Sequence, residues 1–274
     1  MSATKRTVMF VSDHTGITAE VLGQSILARF EPVPYEYLTR PFVDNPARAR
    51  EVADEVAAVS SGGNRAIVFC TLSDPHIMAE LKGGDALVLD LFSPHLSMLQ
   101  TELGIAPSPQ PGRYHSIADL STYQTRIDAV EFALVTDDGL GTRHYERADL
   151  IIIGVSRAGK TPTCLFMALQ YGLRSANYPL ADADFEASSL PDGLRAHRGK
   201  LFGLSIDPLR LHQLRSERKA GSHYASIERC EREVKHAEDL FQRTGVPYLN
   251  ATTSSIEELA AKIMQVTGVK RRLR

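Results

Sequence analysis

The chain has 274 residues, is 43% hydrophobic and 23% charged, and carries a formal net charge of −2. This composition is typical of a soluble protein with one or two domains, and the charge balance argues against a nucleic-acid-binding surface. No apolar stretch reaches membrane-spanning length, the first residues lack a signal sequence, and three isolated cysteines argue against structural zinc, so we expect a cytoplasmic protein.

In the first half of the chain, short apolar runs alternate with segments of helical spacing. This alternation predicts an α/β fold, in which a parallel sheet has helices on its faces. An extended segment is predicted at residues 34–42. The predicted strands span residues 7–12, 65–72 and 85–92, and the predicted helices span residues 19–30, 46–61, 76–84 and 95–104.

The segment PSPQPG, at residues 107–112, contains three prolines and one glycine. Because neither a helix nor a central strand can continue through such a segment, we predict a linker there. It separates an N-terminal α/β domain, residues 1–106, from a C-terminal domain, residues 113–274. The sequence therefore predicts two α/β domains with parallel sheets, and the second resembles a P-loop kinase domain because of the loop described below.

The second domain continues the alternation of strands and helices. Its first helix is predicted to lead into a strand, EFALVT, at residues 131–136, and its last helix is predicted to begin with a capping box of Ser254 and Glu257. The basic residues Lys270, Arg271, Arg272 and Arg274 are expected to form a solvated tail. Further strands are predicted at 151–153, 175–180, 200–206 and 246–252, and further helices at 162–172, 209–219, 224–245 and 254–268.

Residues 154–161 read GVSRAGKT and directly follow an apolar strand. This is a full G-x-x-x-x-G-K-T phosphate loop in the strand-to-helix setting that such a loop requires. The glycines let successive backbone N–H groups face one anion, Lys160 supplies charge for the outer phosphates, and the hydroxyl of Thr161 can hold Mg²⁺. A chance match to a glycine turn is the alternative. The predicted nucleotide-binding residues are Gly154, Val155, Ser156, Arg157, Ala158, Gly159, Lys160 and Thr161.

Two aspartates, Asp137 and Asp138, precede Gly139 and follow the predicted strand at 131–136. A phosphoryl-transfer site needs a carboxylate that positions the acceptor hydroxyl and takes its proton, or that holds magnesium. Adjacent aspartates at the end of a strand could divide these roles. The alternative is a tight turn, which the spacing alone favours.

Two further segments are candidates for phosphate or substrate binding. Arg215 and Arg218 recur along the predicted helix at 209–219 and could clamp a phosphate, although a solvated basic face is the default. The segment SDHTGITAE, at residues 12–20, could hold an anion through Ser12 and Thr15 at a helix N-terminus. Helix capping by Thr15 or Thr18 is slightly favoured there.

Several motifs together resemble those of the family that regulates phosphoenolpyruvate synthase and pyruvate, phosphate dikinase. The resemblance covers nearly the whole chain, and the glycine before the lysine in SRAGKT is similar to the synthase regulators, whereas the dikinase regulators more often read SRTSKT. The motifs that carry it are SDHTGITAE, PSPQPGRYH, RIDAVEFALVTDDG, GVSRAGKTPT, ANYPL, LFGLSIDP and residues 224–226.

The resemblance implies a bifunctional enzyme whose protein partner is phosphoenolpyruvate synthase. One activity uses ADP as the donor and phosphorylates a threonine of the target near its phosphate-carrying histidine, which inactivates the target. In the other, inorganic phosphate attacks the phosphothreonine, which gives pyrophosphate and restores the target. Magnesium is expected with the nucleotide, and the sequence leaves open whether the protein is a homo-oligomer.

The resemblance also assigns residues in this chain. It places the nucleotide loop at residues 154–161, favours a catalytic role for Lys160, Asp137 and Asp138, and matches Arg215 and Arg218 to the basic segment of the family. One position departs from the family pattern: Thr136 stands where a histidine is common. If that histidine assists proton transfer or holds phosphate, one activity is altered here; if it only packs, nothing changes.

Other functions stay open at this point. The same chemistry could act on pyruvate, phosphate dikinase instead of the synthase. An ATP-dependent small-molecule kinase of the P-loop type is a second alternative, because the closing strand and helix are similar to those of such kinases. A nucleotide-gated binding module without chemistry is the third, and the paired aspartates weigh against it.

Overall fold

A computed structural model describes residues 5–30, 32–60, 65–82, 85–108, 120–186, 189–219 and 221–273. The chain divides into two compact units, residues 1–116 and residues 117–274. Most of the predicted linker at 107–112 lies outside the described residues, so the predicted domain boundary stays a prediction. Among the described helices, none combines the length and apolar character that crossing a bilayer requires.

The first unit is built on a four-stranded parallel sheet with the strand order β2-β1-β3-β4. Alternate residues of the strands face opposite sides of this sheet, so that Met9 and Val11 pack with α2 and α3 while Val8 and Phe10 pack with α1. The strands are β1 (Arg6–Ser12), β2 (Tyr35–Arg40), β3 (Ala66–Thr71) and β4 (Ala86–Asp90), and the helices are α1 (Ile17–Leu27), α2 (Pro46–Ser60), α3 (Pro75–Leu81) and α4 (Ser93–Leu103).

The second unit repeats this architecture with a second four-stranded parallel sheet, in the order β6-β5-β7-β8. Every residue of β5, one of the two central strands, is buried, which is typical of a sheet covered on both faces. The strands are β5 (Leu150–Gly154), β6 (Ser175–Pro179), β7 (Leu201–Ser205) and β8 (Tyr248–Asn250), and the helices are α5 (Leu120–Val135), α6 (Lys160–Tyr171), α7 (Asp182–Glu186), α8 (Asp192–Arg195), α9 (Pro208–Arg218), α10 (Ile227–Thr244) and α11 (Ile256–Thr267). The predicted α/β class is confirmed.

The strand predicted at 131–136 is wrong, because α5 continues to Val135. Ala129, Phe132 and Ala133 are buried, and their spacing of three and four residues marks one face of a helix. The aspartate pair therefore follows a helix and not a strand. The capping box of α11 is formed by Ser255 and Glu258, one residue later than predicted.

The basic residues Lys270, Arg271 and Arg272 of the C-terminal tail are exposed, as predicted, but the tail also contacts the rest of its unit. The guanidinium of Arg272 pairs with Asp149 at 2.6 Å, and the side chain of Leu273 is only 4% exposed. The backbone N–H groups of both residues donate to the carbonyl oxygen of Tyr171, at 2.8 and 3.2 Å. The end of the chain thus packs against the C-terminal end of α6, and Arg274 lies outside the described residues.

Candidate functional site

The loop at residues 154–161 begins where β5 ends. At Gly154 the backbone approaches β7 so closely that a Cβ atom there would lie 2.3 Å from the carbonyl oxygen of Leu204, which leaves room only for glycine. Further along the loop, Arg157 and Gly159 have left-handed φ values of 77° and 89°. These conformations reverse the chain and start α6 at Lys160, so the loop lies at the N-terminus of a helix, where anions are favoured.

Lys160 lies inside this loop. Its side chain is 5% exposed, and its ammonium group donates a hydrogen bond of 2.9 Å to the carbonyl oxygen of Val155. Burial lowers the pKa of Lys160 to about 8, against the opposing effect of the nearby Asp138 and Asp137 carboxylates. The lysine is therefore positioned at the loop and carries its charge at neutral pH, with a proton that it releases more readily than an exposed lysine does.

The structure brings the two predicted aspartates to the start of α6. They belong to a 3-10 turn, Asp137–Gly139, that follows α5. The hydroxyl of Thr161 donates to Oδ1 of Asp137 at 2.8 Å, and Nδ2 of Asn177 donates to the same oxygen. In return, Oδ1 of Asn177 accepts the backbone N–H of Asp138 at 3.1 Å. Sequence reasoning missed Asn177, whose only signal was a polar residue within a short buried strand.

A cavity of about 450 Å³ lies over the loop. Asp138 faces this cavity, whereas Asp137 is half-buried behind it against Thr161. Arg218, on the last turn of α9, also lines the cavity. The lining residues are Asp138, Ser156, Arg157, Gly159, Lys160, Thr161, Pro162, Leu214, Glu217 and Arg218. Two acidic side chains, Asp138 and Glu217, and several basic or hydroxyl side chains thus converge on one opening.

Arg215 contacts the loop from the protein interior. Its side chain is fully buried and pairs with Glu233 at 2.6 Å, while the same nitrogen donates to the carbonyl oxygen of Ser156 at 3.2 Å. The guanidinium also lies 4.2 Å from the ring centre of Tyr224, whose hydroxyl shares a hydrogen bond of 2.8 Å with Oγ of Ser156. Arg215 and Tyr224 together fix the conformation of the loop at Ser156.

Further ion pairs connect Arg215 and Glu233 to the surface of the protein. Oε1 of Glu233 accepts a hydrogen bond of 2.6 Å from Nε of Arg229, and Arg229 in turn pairs with Asp182 at 2.8 Å. The exposed fraction of the side chains rises along this chain, from 0% at Arg215 to 22% at Arg229 and 59% at Asp182. A network anchored on α7, α9 and α10 therefore ends at the loop.

Thr136, the position that departs from the family pattern, is fully buried. Its hydroxyl donates to the carbonyl oxygen of Phe132 at 2.7 Å, within the last turn of α5. The side chain is bonded to its own helix, and it does not line the described cavity. Thr136 therefore supplies packing at this position.

The candidates of the first unit have a different environment. Oγ of Ser12 is buried and accepts hydrogen bonds from the hydroxyl of Thr71, at 3.0 Å, and from the backbone N–H of His14, at 3.1 Å. Thr15 is exposed, and α1 begins after Gly16, whose φ is 83° and which provides no side-chain cap. Capping of α1 by Thr15 or Thr18 was therefore a wrong prediction. Ser12 and Thr15 belong to the first unit, and the loop belongs to the second.

Comparison with known proteins gives a consistent result along the chain. A family model described as Kinase/pyrophosphorylase matches residues 8–264. A protein of Ectopseudomonas mendocina (strain ymp) is 51% identical over 271 residues, which cover 98% of this chain and 100% of the relative. Proteins of Pseudomonas aeruginosa (strain LESB58) and Pseudomonas putida (strain GB-1) are each 49% identical over 98% of this chain and over 99% and 100% of their own lengths. All three are named "Putative phosphoenolpyruvate synthase regulatory protein".

Proposed function

Because this chain belongs to the kinase/pyrophosphorylase family, we propose that it regulates phosphoenolpyruvate synthase by reversible phosphorylation of a threonine. In the forward reaction ADP is the donor, and in the reverse reaction inorganic phosphate takes the phosphoryl group and leaves as pyrophosphate. The observation that supports this proposal most is the convergence of the loop, Lys160 and Asp138 on one cavity. The names of the relatives support the synthase as the target.

The loop is suited to hold the phosphates of ADP. Backbone N–H groups of residues 155–160 and the N-terminus of α6 offer hydrogen bonds and a positive partial charge to an anion. The ammonium group of Lys160 would exchange the carbonyl oxygen of Val155 for an oxygen of the β-phosphoryl group, which moves its charge toward the transferring group. Lys160 thus favours the transition state, in which negative charge on those oxygens is greatest.

The acceptor hydroxyl enters from the cavity side. An aspartate of the pair orients the threonine hydroxyl of the target and takes its proton while the oxygen bonds to the β-phosphorus. The bond from that phosphorus to the bridging oxygen breaks, and AMP leaves. Since the transition state of such a transfer is largely dissociative, positioning and electrostatics supply most of the acceleration.

The residues beside the loop also fit a magnesium ion. The hydroxyl of Thr161 and the carboxylate of Asp137 are oxygen donors 2.8 Å apart, and Mg²⁺ prefers oxygen ligands from one or two side chains together with substrate phosphates. When bound, the ion neutralises charge on the phosphate oxygens. Thr161 and Asp137 are the residues that would hold it.

In the reverse direction, the same loop would hold inorganic phosphate. A phosphate oxygen attacks the phosphothreonine in line, the bond from phosphorus to the threonine oxygen breaks, and that oxygen regains its proton from the aspartate. Pyrophosphate then occupies the loop and leaves. One anion site therefore serves both directions, and both depend on Lys160.

A labelling experiment tests this function. Purified protein is incubated with phosphoenolpyruvate synthase and ADP labelled at the β-phosphate, and the labelled residue is mapped. Phosphate is then added and pyrophosphate is assayed. We expect label on a threonine, and its release as pyrophosphate. ADP labelled at the α-phosphate is the control and should leave the synthase unlabelled.

The same experiment separates the alternatives. Pyruvate, phosphate dikinase is offered in parallel, and faster labelling of the dikinase would assign the target to that enzyme. Label transferred from the γ-phosphate of ATP to a metabolite, without a protein acceptor, would indicate a small-molecule kinase. Tight ADP binding with no transfer to any acceptor would indicate a binding module.

A further inference from the structure

We propose that Asn177 is a positioning residue that gives the two aspartates different roles. It holds Asp137 against Thr161, and it orients Asp138 toward the cavity as the group that takes the proton of the acceptor. This inference rests on the proposed function, because it states which aspartate does the acid–base work of that reaction. A single side-chain amide makes the contacts that support this assignment.

The amide of Asn177 contacts three parts of the site at once. Its Nδ2 donates to Oδ1 of Asp137 and lies 3.3 Å from the hydroxyl oxygen of Thr161. Its Oδ1 accepts the backbone N–H of Asp138 at 3.1 Å. The partners also fix which end of the amide is which, since a carboxylate oxygen needs a donor and a backbone N–H needs an acceptor. An aspartate or a leucine of similar size could not make this set of contacts.

The amide is itself held in place. Asn177 is 1% exposed and lies in β6, where its backbone is in register with Ile152 of β5, the strand that leads into the loop. Its carbonyl oxygen accepts a hydrogen bond of 2.9 Å from the hydroxyl of the buried Tyr145. The sheet therefore fixes the distance between the amide and the loop, and the amide transmits this position to the aspartates.

The two carboxylates differ as a result. Oδ1 of Asp137 already accepts hydrogen bonds from Thr161 and Asn177, and its side chain is half-buried. Asp138 is exposed, lines the cavity, and has a left-handed backbone conformation with φ 48° and ψ 32°. The hydrogen bond from its N–H to Asn177 stabilises this uncommon conformation, and with it the direction of the side chain. Asp138 is thus the catalytic residue that meets the acceptor, and Asp137 is the carboxylate beside Thr161.

The first test compares Asn177→Ala and Asn177→Asp with a matched control, Ser175→Ala, which alters a buried polar residue two positions earlier in the same strand. In both Asn177 variants we expect kcat for phosphoryl transfer to fall about 10²-fold, the usual effect of a small misplacement of catalytic groups. Nucleotide affinity should stay close to that of the wild type, since Asn177 reaches the loop only at the hydroxyl of Thr161 and makes no hydrogen bond to Lys160 or to the N–H groups of the loop in the structure. The control should keep both values.

A pH profile separates positioning from a merely structural role. In Asn177→Asp the new carboxyl group faces the carboxylate of Asp137. The like charge of Asp137 raises the pKa of the new carboxyl group. As the pH falls, the new carboxyl group takes up a proton and can again donate a hydrogen bond to Asp137. The ratio of kcat in this variant to kcat in the wild type should therefore rise. For Asn177→Ala the ratio should stay flat. The titratable residues that the structure places in hydrogen-bond contact with Asn177 are Asp137 and Asp138 of the 3-10 turn and, through the backbone carbonyl of Asn177, Tyr145.

A second measurement does not depend on any activity. Hydrogen exchange at the backbone N–H of Asp138 should accelerate in Asn177→Ala, which lacks the acceptor, and should stay slow in Asn177→Asp and Ser175→Ala. Unchanged exchange in Asn177→Ala, or unchanged kcat, would overturn the inference. A joint loss of affinity and rate in both variants, with identical pH profiles, would also overturn it. If the wild-type protein transfers no phosphate, the proposed function fails, and the exchange rates still decide whether Asn177 holds Asp138.

Discussion

The two units of the chain order their strands in the same way, and in each unit the central first strand leads through a glycine with positive φ into a helix. The glycines are Gly16, with φ 83°, and Gly159, with φ 89°. In open parallel α/β sheets, ligands bind beyond the carboxyl ends of the strands, and this region is present in both units. In the first unit, however, polar groups at the carboxyl ends of the strands form hydrogen bonds with one another. The hydroxyl of Thr71 donates to Ser12, and Asp13 accepts the backbone N–H of Ser73.

In the second unit, polar groups at the carboxyl ends of the strands face a cavity. Lys160 and Asp138 line it, while Arg215 and Tyr224 hold the loop from behind. Strand order thus determines where a ligand can bind, and the side chains at the carboxyl ends of the strands determine whether that place is suited to an anion. Anion binding by Ser12 and Thr15 in the first unit stays a prediction.

The strongest test of the comparison removes the support of the loop. Arg215→Ala removes the buried partner of Glu233, which keeps only the half-buried Arg229, and it also removes the contacts to Ser156 and Tyr224. We expect a loss of about 3–5 kcal/mol in the free energy of unfolding. Urea denaturation measures this loss. Arg210→Ala, on the exposed side of the same helix, is the control and should change stability by no more than about 0.5 kcal/mol. Equal effects of the two substitutions would contradict the buried ion pair.

Removing the charge of the loop is expected to have the next largest effect. Lys160→Ala should reduce both phosphorylation and dephosphorylation by about 10²–10³-fold, because a group that stabilises transition-state charge contributes about 3–4 kcal/mol. Single-turnover assays in each direction measure this. Lys82→Ala, at an exposed lysine of the first unit, is the control. If Lys160→Ala kept full phosphorylation and lost only dephosphorylation, the two reactions would not share one anion site.

A matched pair of glycine substitutions tests whether the two units differ in nucleotide binding. Gly16→Ala and Gly159→Ala both place a side chain on a left-handed residue before a helix, so each should cost about 1–2 kcal/mol of stability. Only Gly159→Ala should weaken nucleotide binding, which calorimetry measures. An equal loss of nucleotide affinity in Gly16→Ala would show that the first unit contributes to phosphate binding as well.

A weaker dependence of nucleotide binding on pH is also expected. Since burial lowers the pKa of Lys160 to about 8, the ammonium form predominates below that pH and is lost as the pH rises through it. Nucleotide affinity should therefore be constant near pH 7 and fall about fivefold between pH 8 and pH 9, in proportion to the charged fraction. Titrations in Lys160→Met should show no such decline. The same decline in that variant would assign the titration to another group.

Much of the fold could be predicted because buried parallel strands appear as short apolar runs bounded by glycine, proline and polar residues. The run at 131–136 misled the prediction, since a helix end with Phe132 and Ala133 on its buried face looks like a strand when only its composition is considered. The shifted capping box arose from two adjacent serines, either of which could begin α11.

The core of the site could be predicted because the loop motif is continuous in sequence. Asn177 and the environment of Arg215 could not be predicted, since their partners are distant along the chain: Asp137 lies 40 residues before Asn177, and Glu233 lies 18 residues after Arg215. A basic helix also gives no sign of which arginine is buried. Such contacts depend on the packing of β6, α9 and α10, which no local pattern in the sequence describes.

The ion pairs that reach the loop from the surface also bear on how the protein responds to ionic strength. Dissolved ions screen charges that they can approach, so they weaken the outer contact between Arg229 and Asp182, but they cannot enter the space between Arg215 and Glu233. Concentrated salt also screens the attraction between the loop and an anionic nucleotide. It should therefore displace a bound nucleotide, while the buried ion pair keeps the loop in shape. On dilution, binding should return at once, without a slow refolding step.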